Sequence, residues 1–192
     1  MRAAVAAALT LTVVPIAAAA GTPVFDGPTI KNPTQPPAFA LRDENGHLVR
    51  LRHLRGKVVL ITFLYTHCPD VCPLTAENLN QALRSIGAQR QNVRVLAISV
   101  DPKGDTPSAV NHFVRTHRLL PQFHYLTGPR STLHAIWAAY GVKSRAQAGD
   151  DRVDHTLYTL MLDRTLNARV LDDATATPTT ITHDLRILLK LR

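Results

Sequence analysis

The sequence predicts an α/β fold: a central mixed sheet with helices on both faces, opened by a small N-terminal β-hairpin. Three observations lead there. Two continuous apolar, β-branched runs, residues 57–65 (KVVLITFLY) and 93–100, have the character of central strands buried on both faces. Helical spacing lies between them, and strand-like and helix-like segments keep alternating afterwards. The 192 residues, 45% of them apolar, suffice for one domain with one core and exclude disorder, collagen and a pure coiled coil.

In chain order, residues 1–20 set Arg2 ahead of an uncharged, alanine-rich run that ends before Gly21. This is the pattern of an export signal, or of a retained N-terminal anchor in the inner membrane. The working protein is therefore expected in a bacterial periplasm or cell envelope, since one Arg is too few for a mitochondrial presequence. Residues 21–38 hold Pro23, Pro28, Pro33, Pro36 and Pro37 with scarcely any apolar periodicity, the composition of an extended linker. The domain is thus expected over 39–192. Residues 40–42 and 47–51 flank the turn signal Asp43-Glu44-Asn45-Gly46 and form the opening hairpin. Over 73–86, Leu74, Leu79, Leu83 and Ile86 have helical spacing, with Pro73 suited to the first helical position and Gly87 to the stop, which completes a βαβ unit. Asp105, Thr106 and Pro107 announce a helix to about residue 118, with Asp105 read as its cap. A short strand over 123–126 and a helix over 131–140 closed by Gly141 follow. Residues 156–162 and 168–171 form a late hairpin, and Thr177 with Pro178 starts a last helix through Ile187 and Leu188. This alternation, with an antiparallel pair at the end, points to a thioredoxin-like layer order.

Lys and Arg number 22 against 14 Asp and Glu, and the net charge of +8 suits an acidic partner or an anionic surface. Arg50, Arg52, His53, Arg55 and Lys57 form a basic run. Export, and the absence of interleaved aromatics or a recognition motif, argue against nucleic acid. A solvated face, or a patch meeting anionic lipid or an acidic partner, fits better and leaves membrane association open. There is no glycine-rich phosphate loop and no motif of paired carboxylates.

Cys68 and Cys72 are the only cysteines and lie between the central strand and the following helix. Main-chain N–H groups and the positive helix end favour thiolate there, making either sulfur a better ligand or nucleophile. The plain alternative is an inert disulfide, which an exported compartment permits but which would close too short a loop to add much stability.

The block Thr66-His67-Cys68-Pro69-Asp70-Val71-Cys72-Pro73 resembles the CxxxC signature of the Sco/SenC family, copper-binding thioredoxin-fold proteins that help assemble the copper A centre of cytochrome c oxidase. Gly56-Lys57-Val58-Val59-Leu60, Ser99-Val100-Asp101-Pro102 with Asp105-Thr106-Pro107, and Val153-Asp154-His155 match in order, and the similarity covers about residues 39–189. The resemblance implies that Cys68, Cys72 and His155 are metal ligands holding one copper per chain. It further implies a metallochaperone, not an enzyme in that role, which passes copper to the copper-binding subunit of cytochrome c oxidase or to another copper protein. Two thiolates and one imidazole are a soft, three-coordinate set suited to Cu(I), whereas structural zinc normally takes a fourth protein ligand.

A second function uses the same cysteines: a thiol-disulfide oxidoreductase, served by a thiol reductant, that keeps the cysteines of a copper acceptor site reduced. Thioredoxins resemble a CxxC pattern with a cis-proline before the facing strand. Here the spacing is CxxxC and Asp154-His155-Thr156 fills the pre-strand segment, which favours copper. A peroxidase reading of Cys72-Pro73-Leu74-Thr75 leaves Cys68 and His155 without a role. Beside the ligands, His67 is expected to shape the loop, Asp70 and Asp154 to lie nearby as charges, and Met161 to belong to the core. His112, His117, His134 and His183 are expected to be solvated on helices.

Overall fold

The computed structural model describes residues 23–146 and 153–191. The turn signal at Asp43 joins β1 (Ala40–Arg42) to β2 (Leu48–Arg50) as an antiparallel hairpin. Gly46 takes φ 80°, where a side chain would be strained, and Asp43 Oδ1 accepts the N–H groups of Asn45 and His47. One stretch of 3-10 helix leads on to β3 (Val58–Leu64), α1 (Val71–Ser85), β4 (Val93–Ser99), α2 (Pro107–Thr116), β5 (Phe123–Leu126) and α3 (Arg130–Ala139). A short hairpin of β6 (Ser144–Ala146) and β7 (Val153–His155) follows, then β8 (Tyr158–Leu162), β9 (Ala168–Asp173) and α4 (Pro178–Leu188).

The central sheet has the order β5-β4-β3-β8-β9, with β3, β4 and β5 parallel and β8 and β9 antiparallel. Every residue of β3 is wholly buried, as its unbroken apolar run requires of a strand covered on both faces. The buried Leu79 and Leu83 of α1 and Leu185 and Leu188 of α4 belong to one core with it, and α1 packs on α4. Met161, opposite Leu60 and wholly buried, is a core residue as expected. The mixed sheet and its helices are those of a thioredoxin-like fold.

Four details differ from the sequence reading. The proline-rich stretch is extended but docked: Leu171 N–H donates to Pro28 O, Ile30 N–H to Arg169 O and Ala168 N–H to Thr34 O, along the free edge of β9. Phe25 is buried, and the fully buried Asp184 accepts the N–H groups of Asp26 and Gly27 at 2.8 and 2.9 Å. Proline suits an edge because it leaves no N–H unpaired, so the composition that suggests a linker serves an edge strap equally well. Secondly, α1 starts at Val71, not Pro73, because proline is tolerated throughout a first turn whose N–H groups have no helical partner. Thirdly, Thr106, not Asp105, caps α2, its Oγ1 accepting Ala109 N–H. Fourthly, the β6–β7 hairpin was not anticipated, since Ser144-Arg145-Ala146 shows no apolar alternation. The leader at residues 1–20 lies outside the described residues, among which no helix is long and apolar enough to cross a membrane.

Candidate metal centre

The end of β3 and the first turn of α1 position the two cysteines. Cys68 is buried in the connecting loop, and Cys72, one residue inside α1, is wholly buried. Both are free thiols, and Cys72 N–H donates to Cys68 Sγ at 3.3 Å. The two sulfurs are electrostatically unequal. The Cys72 thiol donates to Cys68 and, against the cost of burial and with help from the Asp70 and Cys72 N–H groups and the Tyr65 hydroxyl, pulls its pKa down to about 5. Holding that proton against Cys68, and burial, push Cys72 far up. The reduced pair therefore shares one proton at neutral pH. Burial, opposed by the Val153 backbone and aided by the neighbouring Cys68, lifts the Tyr65 hydroxyl to about 12.

His155 reaches this point from far along the chain. It ends β7, a separate short strand, instead of standing at the start of the late strand, and β8 then runs antiparallel to β3 with Thr159 opposite Thr62. This brings His155 Nε2 to 3.7 Å from Cys72 Sγ across 83 residues of sequence. His155 Nδ1 lies 3.1 Å from the Thr156 carbonyl, to which it donates, so the Nε2 lone pair faces the sulfur. The ring stands edge-on to Tyr65, with centroids 5.7 Å apart and planes at 84°. Burial lowers the His155 pKa, opposed by the Thr156 carbonyl and the charges of Cys68 and Asp154. A neutral imidazole with a free Nε2 is the form that binds a metal.

The residues flanking the trio fall into place individually. His67 is exposed beside Thr66 Oγ1 at 3.2 Å and lines a groove with Lys103, Gly104 and His112. Asp70 is exposed at the cap position of α1, where it makes no side-chain capping bond, and it is its N–H that serves Cys68. Asp154 is exposed and acts on His155 through its charge. Two supports escaped the sequence reading. Tyr65 read only as a strand residue. Asp105 read as a helix cap, yet it is buried beneath the loop and accepts Thr66 N–H at 2.8 Å, the Ser99 hydroxyl at 2.5 Å and the Tyr125 hydroxyl at 3.0 Å. Thr106-Pro107 already supplies a complete helix start, which was the available hint that the preceding aspartate has other work. Among the helix histidines, His112 and His134 are exposed, but His117 is not solvated as expected. It packs on Phe113 and lies 2.8 Å from Glu77 Oε1.

Comparison with known proteins gives a consistent result. The sequence profile of the SCO1/SenC family matches residues 28–190. The SCO2-like protein RT0576 of Rickettsia typhi is 28% identical over 132 residues, which are 66% of this chain and 64% of that protein. The mitochondrial SCO1 homologue of Homo sapiens is 31% identical over 143 residues, 71% of this chain and 44% of its own length. This chain thus spans less than two thirds of these curated relatives. Among solved structures, Bradyrhizobium japonicum ScoI with copper bound superposes with a TM-score of 0.71 at 31% identity, covering 80% of this chain and 98% of that one. Apo Sco1 of Thermus thermophilus gives 0.74 at 30% identity, covering 88% and 99%.

Proposed function

Because this chain belongs to the SCO1/SenC family, we propose that it is a copper-binding metallochaperone that assists assembly of the copper A site of cytochrome c oxidase by copper transfer. The observation that carries the reading is the approach of His155 Nε2 to Cys72 Sγ at 3.7 Å, with Cys68 Sγ held against the Cys72 main chain. In this reading Cys68, Cys72 and His155 together hold one Cu(I) as cargo. Cys68 is already a thiolate, His155 is already neutral, and the proton shared by the sulfurs leaves as the ion enters. Soft sulfur donors favour Cu(I), and three ligands leave room for an acceptor's own ligands to attack and take the ion by exchange. The acceptor is the copper-binding subunit of the oxidase or another copper protein, and a thiol reductant returns an oxidised pair to the dithiol. Residues 1–20 act as the export signal or anchor for the bacterial envelope, residues 21–38 lead into the domain, and no nucleic acid is involved.

The test is anaerobic Cu(I) loading followed by metal analysis. One copper per chain is expected, abolished by Cys68→Ser or Cys72→Ser and weakened by His155→Ala. Wild-type protein that retains no copper overturns the reading. One observation favours a thiol-disulfide reductase instead: a low-pKa thiolate beside a proton-holding thiol is the arrangement of an attacking and a resolving sulfur. His155→Ala separates the two, because it weakens copper retention while sulfur exchange with an oxidised acceptor peptide continues.

A further inference from the structure

At the opposite edge of the sheet from β9, the turn of the first hairpin closes over β5. Arg42 and Thr127 exchange both main-chain hydrogen bonds, and Glu44 Oε2 accepts Tyr125 N–H at 3.0 Å. These bonds gather Asp43, Glu44 and His124 so that one ligand atom of each lies within 4.8 Å of the others. His47, on the same turn, lies with its Nδ1 3.5 Å from Asp43 Oδ2.

We propose that Asp43, Glu44 and His124 form a second metal site, for a divalent transition ion of borderline softness such as Zn(II), separate from the cysteine centre. Each carboxylate is anchored by one oxygen and presents the other. Asp43 Oδ1 is fixed by the Asn45 and His47 N–H groups while Oδ2 faces His124, and Glu44 Oε2 is fixed by Tyr125 while Oε1, which also accepts the exposed Asn45 Nδ2 at 3.2 Å, faces the same ring. The independent observation is His124 Nδ1. This atom is shielded from solvent, in a side chain 20% exposed, and makes no hydrogen bond, although Asp43 Oδ2 and Glu44 Oε1 lie 3.6 and 3.8 Å away. Those separations are too long for hydrogen bonds. They are close to the edge of a tetrahedron around zinc, about 3.4 Å for bonds of about 2.1 Å. An imidazole and two carboxylates, with a fourth position left to water, suit zinc and neighbouring divalent ions, not Cu(I), which prefers sulfur.

The experiment uses the full chain carrying Cys68→Ser and Cys72→Ser, so that sulfur cannot compete, and titrates it calorimetrically with Zn(II). One zinc per chain is expected. Glu44→Gln and His124→Gln should each weaken binding about tenfold or more, since even groups behind a metal ligand change affinity by about 10–100-fold. Asp43→Asn tests the third ligand but also the turn. The glutamine variants, whose melting temperatures without zinc are measured alongside, keep the outcome decisive. Cobalt(II) substitution should give visible bands without sulfur-to-metal charge transfer. Failure to bind zinc, which would leave His124 in a simple ion pair, overturns the site. Binding unchanged by both glutamine substitutions overturns it equally.

Discussion

Replacing Asp105 with Ala removes the acceptor shared by Thr66 N–H, half-buried at the start of the cysteine loop, and the buried Ser99 and Tyr125 hydroxyls. Each donor left unpaired costs about 1–3 kcal/mol, and the Thr66 N–H has no freedom to turn elsewhere. Against this stands a gain, because the buried carboxylate is itself costly to ionise. Burial raises its pKa above the 3.8 of an exposed aspartate, opposed by the bonds from Ser99, Thr66 and Tyr125. The net loss is about 3 kcal/mol, or about 6–12 °C in melting temperature for a domain of this size. Asp105→Asn keeps an oxygen for Thr66 and sets its amide against the two hydroxyl oxygens, so it recovers more than half of the loss. The pH dependence has a definite sign. A carboxyl whose folded pKa is raised contributes stability that is complete below 3.8 and lost as pH rises through the folded value, so the asparagine variant gains on wild type as pH increases. Urea denaturation of the reduced apo protein from pH 5 to 8 measures this. An alanine variant within about 1 kcal/mol of wild type would refute the assignment of Asp105 as the loop's anchor.

Two further outcomes follow from the same geometry. Cys72→Ala removes the thiol proton that most stabilises the Cys68 thiolate, so the Cys68 midpoint climbs from about 5, as followed by thiolate ultraviolet absorbance; an unmoved midpoint contradicts the shared proton. In the intact pair, Cu(I) affinity measured against a chelator falls as pH drops, because the ion displaces the proton the sulfurs share, and falls more steeply below about 5, where Cys68 also takes up a proton. Burial, followed by the charges of Asp184 and Asp173, lifts Asp172 to about 6, and its Oδ2 has no hydrogen-bond partner. Its stabilising contribution is complete below 3.8 and lost as pH rises through about 6. Asp172→Asn should therefore stabilise the protein at pH 8 by about 1–2 kcal/mol, allowing for solvent screening, and make little difference at pH 4. Destabilisation at pH 8 on thermal melting counts against it.

The strand and helix sequence was legible because burial on two faces leaves an unmistakable mark: the apolar runs at 58–64 and 93–99 can only be central strands. Thr177-Pro178 marked its helix start to the residue, and Asp105-Thr106-Pro107 marked the start of α2 to within one. What composition conceals is partnership. Prolines at 28 and 33 look alike in a linker and in a strap bonded to β9, and an aspartate before Thr-Pro looks like a cap whether it faces the helix or a buried tyrosine. The CxxxC spacing located the cysteines, but the approach of His155 to Cys72 depends on β8 pairing with β3, a long-range contact that local periodicity does not contain. The Asp43, Glu44 and His124 cluster was invisible for the same reason, since its members meet only when the hairpin turn closes over β5.

The hairpin that carries His155 sets how the molecule can open. Its two strands, Ser144–Ala146 and Val153–His155, form a sheet of their own, outside the five-stranded one that buries the core. A two-stranded ribbon has little stability by itself, so once Val153 leaves the core it can detach at a cost below that of unfolding the domain. The imidazole then swings away while both sulfurs stay fixed to β3 and α1. In the proposed copper site, an ion held by His155 would clip this ribbon to the domain, and a local fluctuation would break the clip. In that reading the rate at which the ion is let go is a property of three residue pairs at the edge of the structure, adjustable by substitutions at Arg145.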